Sequence, residues 1–452
     1  MNNFKVGDRL FVDIKRIGIN GEGIAFYNKL AIFIEGALPK ENVLVEITKA
    51  TPKYAEAKIV EIKKVSPERK NVLCPYYTKC GGCNMMHLEY KASLKAKKDI
   101  LIEAINRYSN INPRKFEIRE TIGSNEEMGY RFKATLPLRQ GEHGVVFGLY
   151  APNSEKFIRI KECLIHNKLI NEIATGLCNA LDLAGINAYG PKNKTGYARF
   201  AIIRASSLNG DSQVTLIFAK KPDNLEKLSQ LVLSIPHVKS LYYSINAEEE
   251  NVEFYGEDVI YLAGEKYIYD QLDKYKYQLL PNSFFQLNTH QANVLFSEVK
   301  KIAKLKNTDT VLDAFCGVGA IGIYLADQVK EVIGVEVNKE AILNAKANIE
   351  INKLDNVRFI EGNASKILPY LNKNNEIDVL VVDPPRSGLD DEFLKAILKA
   401  NIKKIIYVSC NPATLAKNLS VLEDKYNVNL MQPVDMFPNT AHVETVCSLV
   451  KK

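Results

Sequence analysis

The sequence predicts an α/β protein whose carboxyl-terminal part is a doubly wound parallel sheet, preceded by a small β-barrel and a mixed α+β centre. Two observations carry this. From about residue 275, short β-branched strands alternate with stretches of helical periodicity. Residues 4–64, by contrast, read as about five short strands broken by Gly and Asn turns such as INGEG.

Five strands in so short a span suggest a closed barrel of the OB type, a common single-strand RNA platform, and residues 1–66 form the first expected domain. Beyond SPERK comes a loop-rich cysteine stretch. KASLKAKKDILIEAINRY then repeats its apolar residues at helical spacing, predicting a helix over about 91–108 that packs on the carboxyl-terminal domain. Hairpin strands are expected in YRFKATLPLR and HGVVFGLYAP, within a central domain of residues 67–272. In residues 273–452 the segments TVLDAF, EVIGVEV, NVRFIEG, IDVLVVD and KKIIYVS are the strands of the parallel sheet. Ligands of such sheets sit outside the carboxyl ends of the strands, so the residues following each strand are the candidates for function.

Composition narrows the class. The 452 residues are 46% hydrophobic, enough to bury sizeable cores. No apolar run approaches a membrane span and the start MNNFKVGDRL has no signal-peptide pattern, so a cytoplasmic protein with reduced, metal-bound or catalytic cysteines is expected. The net charge of +7 lies wholly at the amino-terminal end: residues 1–110 hold 19 Lys/Arg against 12 Asp/Glu, and the remainder 41 against 41. A basic end on a neutral body suits a polyanion, although ordinary solvated surfaces show as much.

After the first strand, DAFCGVGAIG places Gly317, Gly319 and Gly322 in a G-x-G-x-x-G pattern, and Glu336 ends the next strand, where a carboxylate can bind ribose hydroxyls. A nicotinamide cofactor and S-adenosylmethionine both fit, with Asp313 favouring the methyl donor. Asn363 follows the third strand, in position for an adenine contact. VVDPPRSGLD presents Asp383 and Arg386 on a turn stiffened by two prolines.

Cys410, at the end of the next strand in YVSCNPATLAKNL, is the sharpest candidate. Most free cysteines are inert core residues, but this one stands at a strand mouth before Asn411-Pro412, a helix start whose dipole should lower the thiol pKa. A thiolate beside a methyl donor suits one chemistry: addition to carbon 6 of uracil makes carbon 5 nucleophilic, and a base must then remove the carbon 5 proton. Glu444, in the last expected strand AHVETVCSLV, should have a raised pKa and suits that base; an edge-strand surface charge is an equal reading, and His442 is a rival.

DAFCGVGAIG, VVDPPRSGLD, YVSCNPATLAKNL and HVETV together resemble the motifs of the RNA uracil-5-methyltransferase family, over nearly the whole chain. The resemblance implies a Rossmann-like class I methyltransferase domain and a TRAM domain at residues 4–64. It implies Cys410 as nucleophile, Glu444 as base, and Gln286, Phe315, Glu336, Asn363 and Asp383 as S-adenosylmethionine contacts, to which the glycine pattern adds Gly317. Cys74, Cys80 and Cys83 follow C-x5-C-x2-C, with Cys163 far beyond; such a set suits a [4Fe-4S] cluster, which the resemblance implies, or four-cysteine zinc. Cys178 and Cys447 read as core.

A target uracil must leave its stack to expose carbon 6. Phe284 and Phe285 are candidates to stack on or wedge beside it, and Arg131 to contact phosphate or base; core packing and a surface ion pair are the competing readings. RNA is the expected partner of a monomer, with 23S ribosomal RNA of the large subunit favoured over transfer RNA by the TRAM-like barrel and cysteine set. Two other classes compete. A nicotinamide-dependent iron-sulfur oxidoreductase would leave Cys410, DPPR and Glu444 without a role, and a noncatalytic RNA-binding protein would need only the barrel.

Overall fold

The computed structural model describes residues 4–152, 154–247, 254–373 and 376–452. They form two compact units, one of Met1–Asn125 with Asp383–Lys452 and one of Glu126–Val382.

In the first unit, residues 9–64 form a six-stranded sheet in which Arg9–Asp13 borders Asn42–Ala50, followed in space by Tyr54–Lys64, Leu30–Ile34, Gly23–Tyr27 and Arg16–Ile17. Alternation along Asn42–Ala50 turns Val43, Val45 and Ile47 into a core shared with Val12, Ile32 and Ile34. The sixth strand, beyond the five expected, is the two-residue Arg16–Ile17, too short to show a period of two. Helix Tyr90–Tyr108 buries Ala96, Ile100, Leu101, Ala104 and Ile105 and packs against helix Pro412–Leu422. Strand Glu444–Lys451 pairs antiparallel with Lys404–Ser409 on one side and Tyr426–Val434 on the other. It is therefore not an edge.

The second unit holds two sheets relevant to function. Lys133–Gly141 and Gly144–Tyr150 form the expected hairpin within a seven-stranded sheet that runs to Val259–Gly264. In the other, Thr310–Ala314 lies parallel between Glu331–Glu336 and Val379–Val382, with Val357–Glu361 beyond Glu331–Glu336. Thr310–Ala314 is buried throughout, Asp313 included, which is why its sequence shows no inside–outside alternation. Among the described residues no helix is long and apolar enough to cross a membrane.

Candidate active site

Strand register brings the two central candidates together. Ser409 pairs with Thr445 as the last pair of the ladder, so Cys410, the residue after Ser409, and Glu444, the residue before Thr445, stand at the same end of it. Cys410 is half-buried, and Glu444 is 7% exposed although it is a carboxylate. Burial pushes the Glu444 carboxyl up to about 8, the negative Asp383 adding to the rise while Lys97 and Arg386 oppose it. The rival His442 is exposed, its ring edge-on to Phe437 at 6.3 Å.

The thiol corrects an expectation. Cys410 does precede helix Pro412–Leu422, capped by Asn411, whose side chain accepts from the Ala413 N–H. Its pKa is nevertheless raised, to about 12, first by burial and then by Glu444 and Asp383, with Arg386 opposing. A helix terminus carries about half a charge, and two nearby carboxylates with desolvation outweigh it. The resting thiol is protonated.

Hydrogen bonds tie the Asp-Pro-Pro turn to the same helix. The Arg386 carbonyl accepts from Asn411 Nδ2 at 3.1 Å and from Thr414 Oγ1 at 3.3 Å. Asn418 accepts from the Leu389 N–H at 2.8 Å and donates to the Leu389 carbonyl at 3.1 Å. Gly388, at φ +82°, lies so close to this helix that a Cβ would stand 2.7 Å from Asn418 Oδ1. The turn thus presents Asp383 rigidly; burial alone raises that carboxyl to about 7.

In the second unit, the loop after Thr310–Ala314 has the form of a nucleotide cradle. Phe315 and Gly317 adopt positive φ, 65° and 55°, and a Cβ on Gly317 would meet nothing within 4 Å, leaving the backbone open to a ligand. At Gly319 a Cβ would stand 2.3 Å from the Phe359 ring. Glu336 accepts from the Gly317 N–H at 3.2 Å and the Asn338 N–H at 2.9 Å. Val337 beside it is 70% exposed, an apolar residue the sequence reading passed over. Asp313, read as a pointer to the methyl donor, is fully buried and accepts from the Gly322 N–H at 2.9 Å; it shapes the loop from within. Asn363 caps helix Ala364–Leu371, its Oδ1 taking the Ser365 N–H at 2.8 Å. An open backbone turn with an acidic strand end fits an adenosyl methyl donor.

The other candidates separate. Phe284 is 68% exposed, but Phe285 is 6% exposed with its ring 5.5 Å from that of Tyr277, so it is core and not a stacking residue. Arg131 is not held in a surface ion pair among the described residues; its Nε donates to the Lys133 carbonyl at 3.2 Å. Cys74, Cys80, Cys83 and Cys163 are half-buried and free of disulfides, and the Gly82 N–H lies 3.4 Å from Cys80 Sγ. Their donor chemistry suits a soft metal or cluster, yet among the described residues no three His, Cys, Asp or Glu side chains gather into a metal-holding group. Cys178 and Cys447 are buried, as core residues are.

The sequence reading also missed Lys97 and Asp435, an ion pair with both side chains 0% exposed. The signal was present. Lys97 falls four residues after Ser93 and four before Leu101, in the buried stripe of its helix.

The parallel sheet, open glycine turn and acidic strand end define the class I methyltransferase fold. A model of the tRNA (Uracil-5-)-methyltransferase family matches residues 89–452, and a TRAM domain model matches residues 3–60. The chain belongs to that RNA uracil-5-methyltransferase family. It is 39% identical over 454 residues to an uncharacterized RNA methyltransferase of Bacillus cereus, covering 100% of this chain and 98% of the relative. A second RNA methyltransferase, from Halalkalibacterium halodurans, is 40% identical over 99% of this chain and 97% of its own. Among solved structures, the Pyrococcus abyssi tRNA (uracil-54, C5)-methyltransferase in complex with S-adenosyl-L-homocysteine aligns with a TM-score of 0.77 and 27% identity, over 98% of this chain and 100% of that one.

Proposed function

We propose that this protein methylates carbon 5 of a uridine in 23S ribosomal RNA with S-adenosylmethionine as donor, Cys410 as nucleophile and Glu444 as base. The observation that carries the chemistry is that Cys410 and Glu444 flank the terminal ladder pair Ser409–Thr445, with the Glu444 charge acting on the thiol.

The sulfur of Cys410 adds to carbon 6, carbon 5 takes the donor's methyl group, and loss of the carbon 5 proton to Glu444 expels the thiolate. Because the thiol starts protonated, forming the S–C6 bond requires moving its proton. Asp383, one of the two carboxyls whose charge acts on the thiol, receives that proton when ionised, and ionised Glu444 takes the carbon 5 proton in the later step. Gln286, Phe315, Gly317, Glu336, Asn363 and Asp383 hold the donor, which supplies the electrophilic methyl when bound. Phe284, with most of its ring exposed, wedges beside the flipped base.

The barrel supports the RNA reading, with Phe11 50%, Phe26 48% and Tyr27 42% exposed and Lys63 5.3 Å above the Phe11 ring. The three-domain division at residues 1–66, 67–272 and 273–452 and a cytoplasmic monomer belong to this proposal. So does a [4Fe-4S] cluster on Cys74, Cys80, Cys83 and Cys163, supported by their thiol chemistry and the Gly82 N–H at Cys80; iron and sulfide analysis of anaerobically purified protein tests it. No reaction step runs through that cluster.

A transfer RNA substrate is the second reading, because the Pyrococcus relative is a tRNA enzyme. Nucleoside mass spectrometry decides between them: large-subunit RNA and transfer RNA from cells lacking the gene are incubated with S-adenosylmethionine and either the protein or its Cys410→Ala variant. The proposal expects 5-methyluridine in ribosomal RNA with the unaltered protein alone. Product in transfer RNA alone moves the target, and product made by Cys410→Ala overturns the nucleophile.

A further inference from the structure

The geometry assigns Lys97 and Asp435 to the reaction as positioning residues that hold the base Glu444 and set its charge. This rests on the reading of Glu444 as the base.

Val434 is the ladder partner of Glu444, and Asp435 is the residue that follows it. Lys97 reaches Asp435 Oδ1 from helix Tyr90–Tyr108 and donates to the Phe437 carbonyl at 3.1 Å. The other carboxylate oxygen of Asp435 accepts from the Tyr90 hydroxyl at 2.9 Å, and Asp435 Oδ1 also takes the Phe437 N–H at 3.2 Å. The segment leading from Asp435 to Glu444 is therefore anchored at Asp435 and Phe437.

A fully buried ion pair is seldom worth more to stability than a well-packed apolar pair, so its presence calls for another use. The ammonium has three donors, of which Asp435 and Phe437 occupy two. Lys97 is also the cation that acts on Glu444 from the protein interior. The other charged or titratable groups here are Asp383 and Arg386 on the Asp-Pro-Pro turn, the Cys410 thiol at the end of the neighbouring strand, and Asp435 itself, next to the ladder partner Val434. Arg386 is exposed. Water screens it, whereas Lys97 acts from the interior, where burial lowers its ammonium and Asp435 opposes that lowering, so the lysine held charged by Asp435 is what favours ionisation of the buried carboxyl.

The test is a single-turnover experiment across pH 6 to 10 that follows formation and decay of the covalent protein–RNA adduct on denaturing gels. The variants are Glu444→Gln, Lys97→Arg, Lys97→Met, and the Lys97→Met/Asp435→Asn double. The double variant leaves no lone buried charge and keeps the question answerable if Lys97→Met does not fold. Adduct decay should rise with pH as Glu444 ionises. Without Lys97 that limb should move up by about one pH unit, about tenfold slower at pH 7, and recover at high pH. Lys97→Arg should keep the original limb, whereas a merely structural lysine would lower the decay rate equally at every pH. An unshifted limb in the folded double variant overturns the inference with Glu444 intact as the base. If Glu444→Gln releases the adduct as fast as the unaltered protein, the base assignment and this inference fall together.

Discussion

The Tyr407 hydroxyl donates a 2.8 Å hydrogen bond to Asn418 Oδ1, the same oxygen that accepts the Leu389 N–H. One buried amide thereby joins the strand before Cys410, the helix after it and the turn that carries Asp383. Asn418→Ala would strand a buried phenol and a buried N–H, at a cost of about 2–4 kcal/mol. Denaturant unfolding should show that loss, and adduct formation should slow more than donor binding weakens.

The Glu444 carboxyl is raised in the folded protein from its ordinary 4.5 to about 8. The folded state therefore binds more protons than the unfolded chain between these values. Its contribution to stability is complete below pH 4.5 and is lost as pH rises through 8. Glu444→Gln removes that dependence. Its stability relative to the unaltered protein should climb from pH 5 to pH 8, by about 2 kcal/mol once relaxation is allowed for. Thermal unfolding at both pH values measures it, and a constant difference would contradict the burial argument.

Lys133 stands opposite Arg204 in the sheet register, with Arg131 two residues before the strand begins. Burial and these two cations lower the Lys133 ammonium to about 7, with no carboxylate among the causes. Arg204 spends its donors on the carbonyls of Leu280 and Ser283, at 3.2 and 2.5 Å. Arg204 is buried, so partly exposed Lys133, with no carboxylate partner among those causes, is the member whose charge an RNA phosphate would stabilise. Lys133→Gln should raise the KM for RNA several-fold and flatten the slope of log affinity against log salt by about one unit, leaving the KM for S-adenosylmethionine unchanged.

Gly319 holds φ +82° with the Phe359 ring where its Cβ would be. Gly319→Ala should destabilise the protein by about 1–3 kcal/mol and weaken donor binding at least tenfold. Isothermal titration with S-adenosylhomocysteine reads the affinity directly. At Gly317 a Cβ meets open space but needs a positive φ, so Gly317→Ala should cost less stability for a comparable loss of affinity.

Local pattern made much of this protein legible. The strands after residue 275 announce themselves because parallel strands are buried on both faces, and the glycine turn, the Asp-Pro-Pro turn and the Cys-Asn-Pro helix start each have a short-range cause in backbone chemistry. Those features place Glu336, Asp383 and Cys410 at strand ends from sequence alone. Glu444 was legible as a residue but not as a buried one, since its burial depends on flanking strands 404–409 and 426–434 that are distant or reversed in sequence.

Sequence by itself determined which residue types stand at the strand ends, and hence the family and the chemistry it performs. Tertiary structure decided their charge states. The Cys410 thiol is raised where its helix position predicts lowering, Phe285 is core while Phe284 is exposed, and Lys97 meets Asp435 across 338 residues of chain. Electrostatic energies depend on distance and solvent exclusion in space, and neither is encoded in the local spacing of residues along the chain.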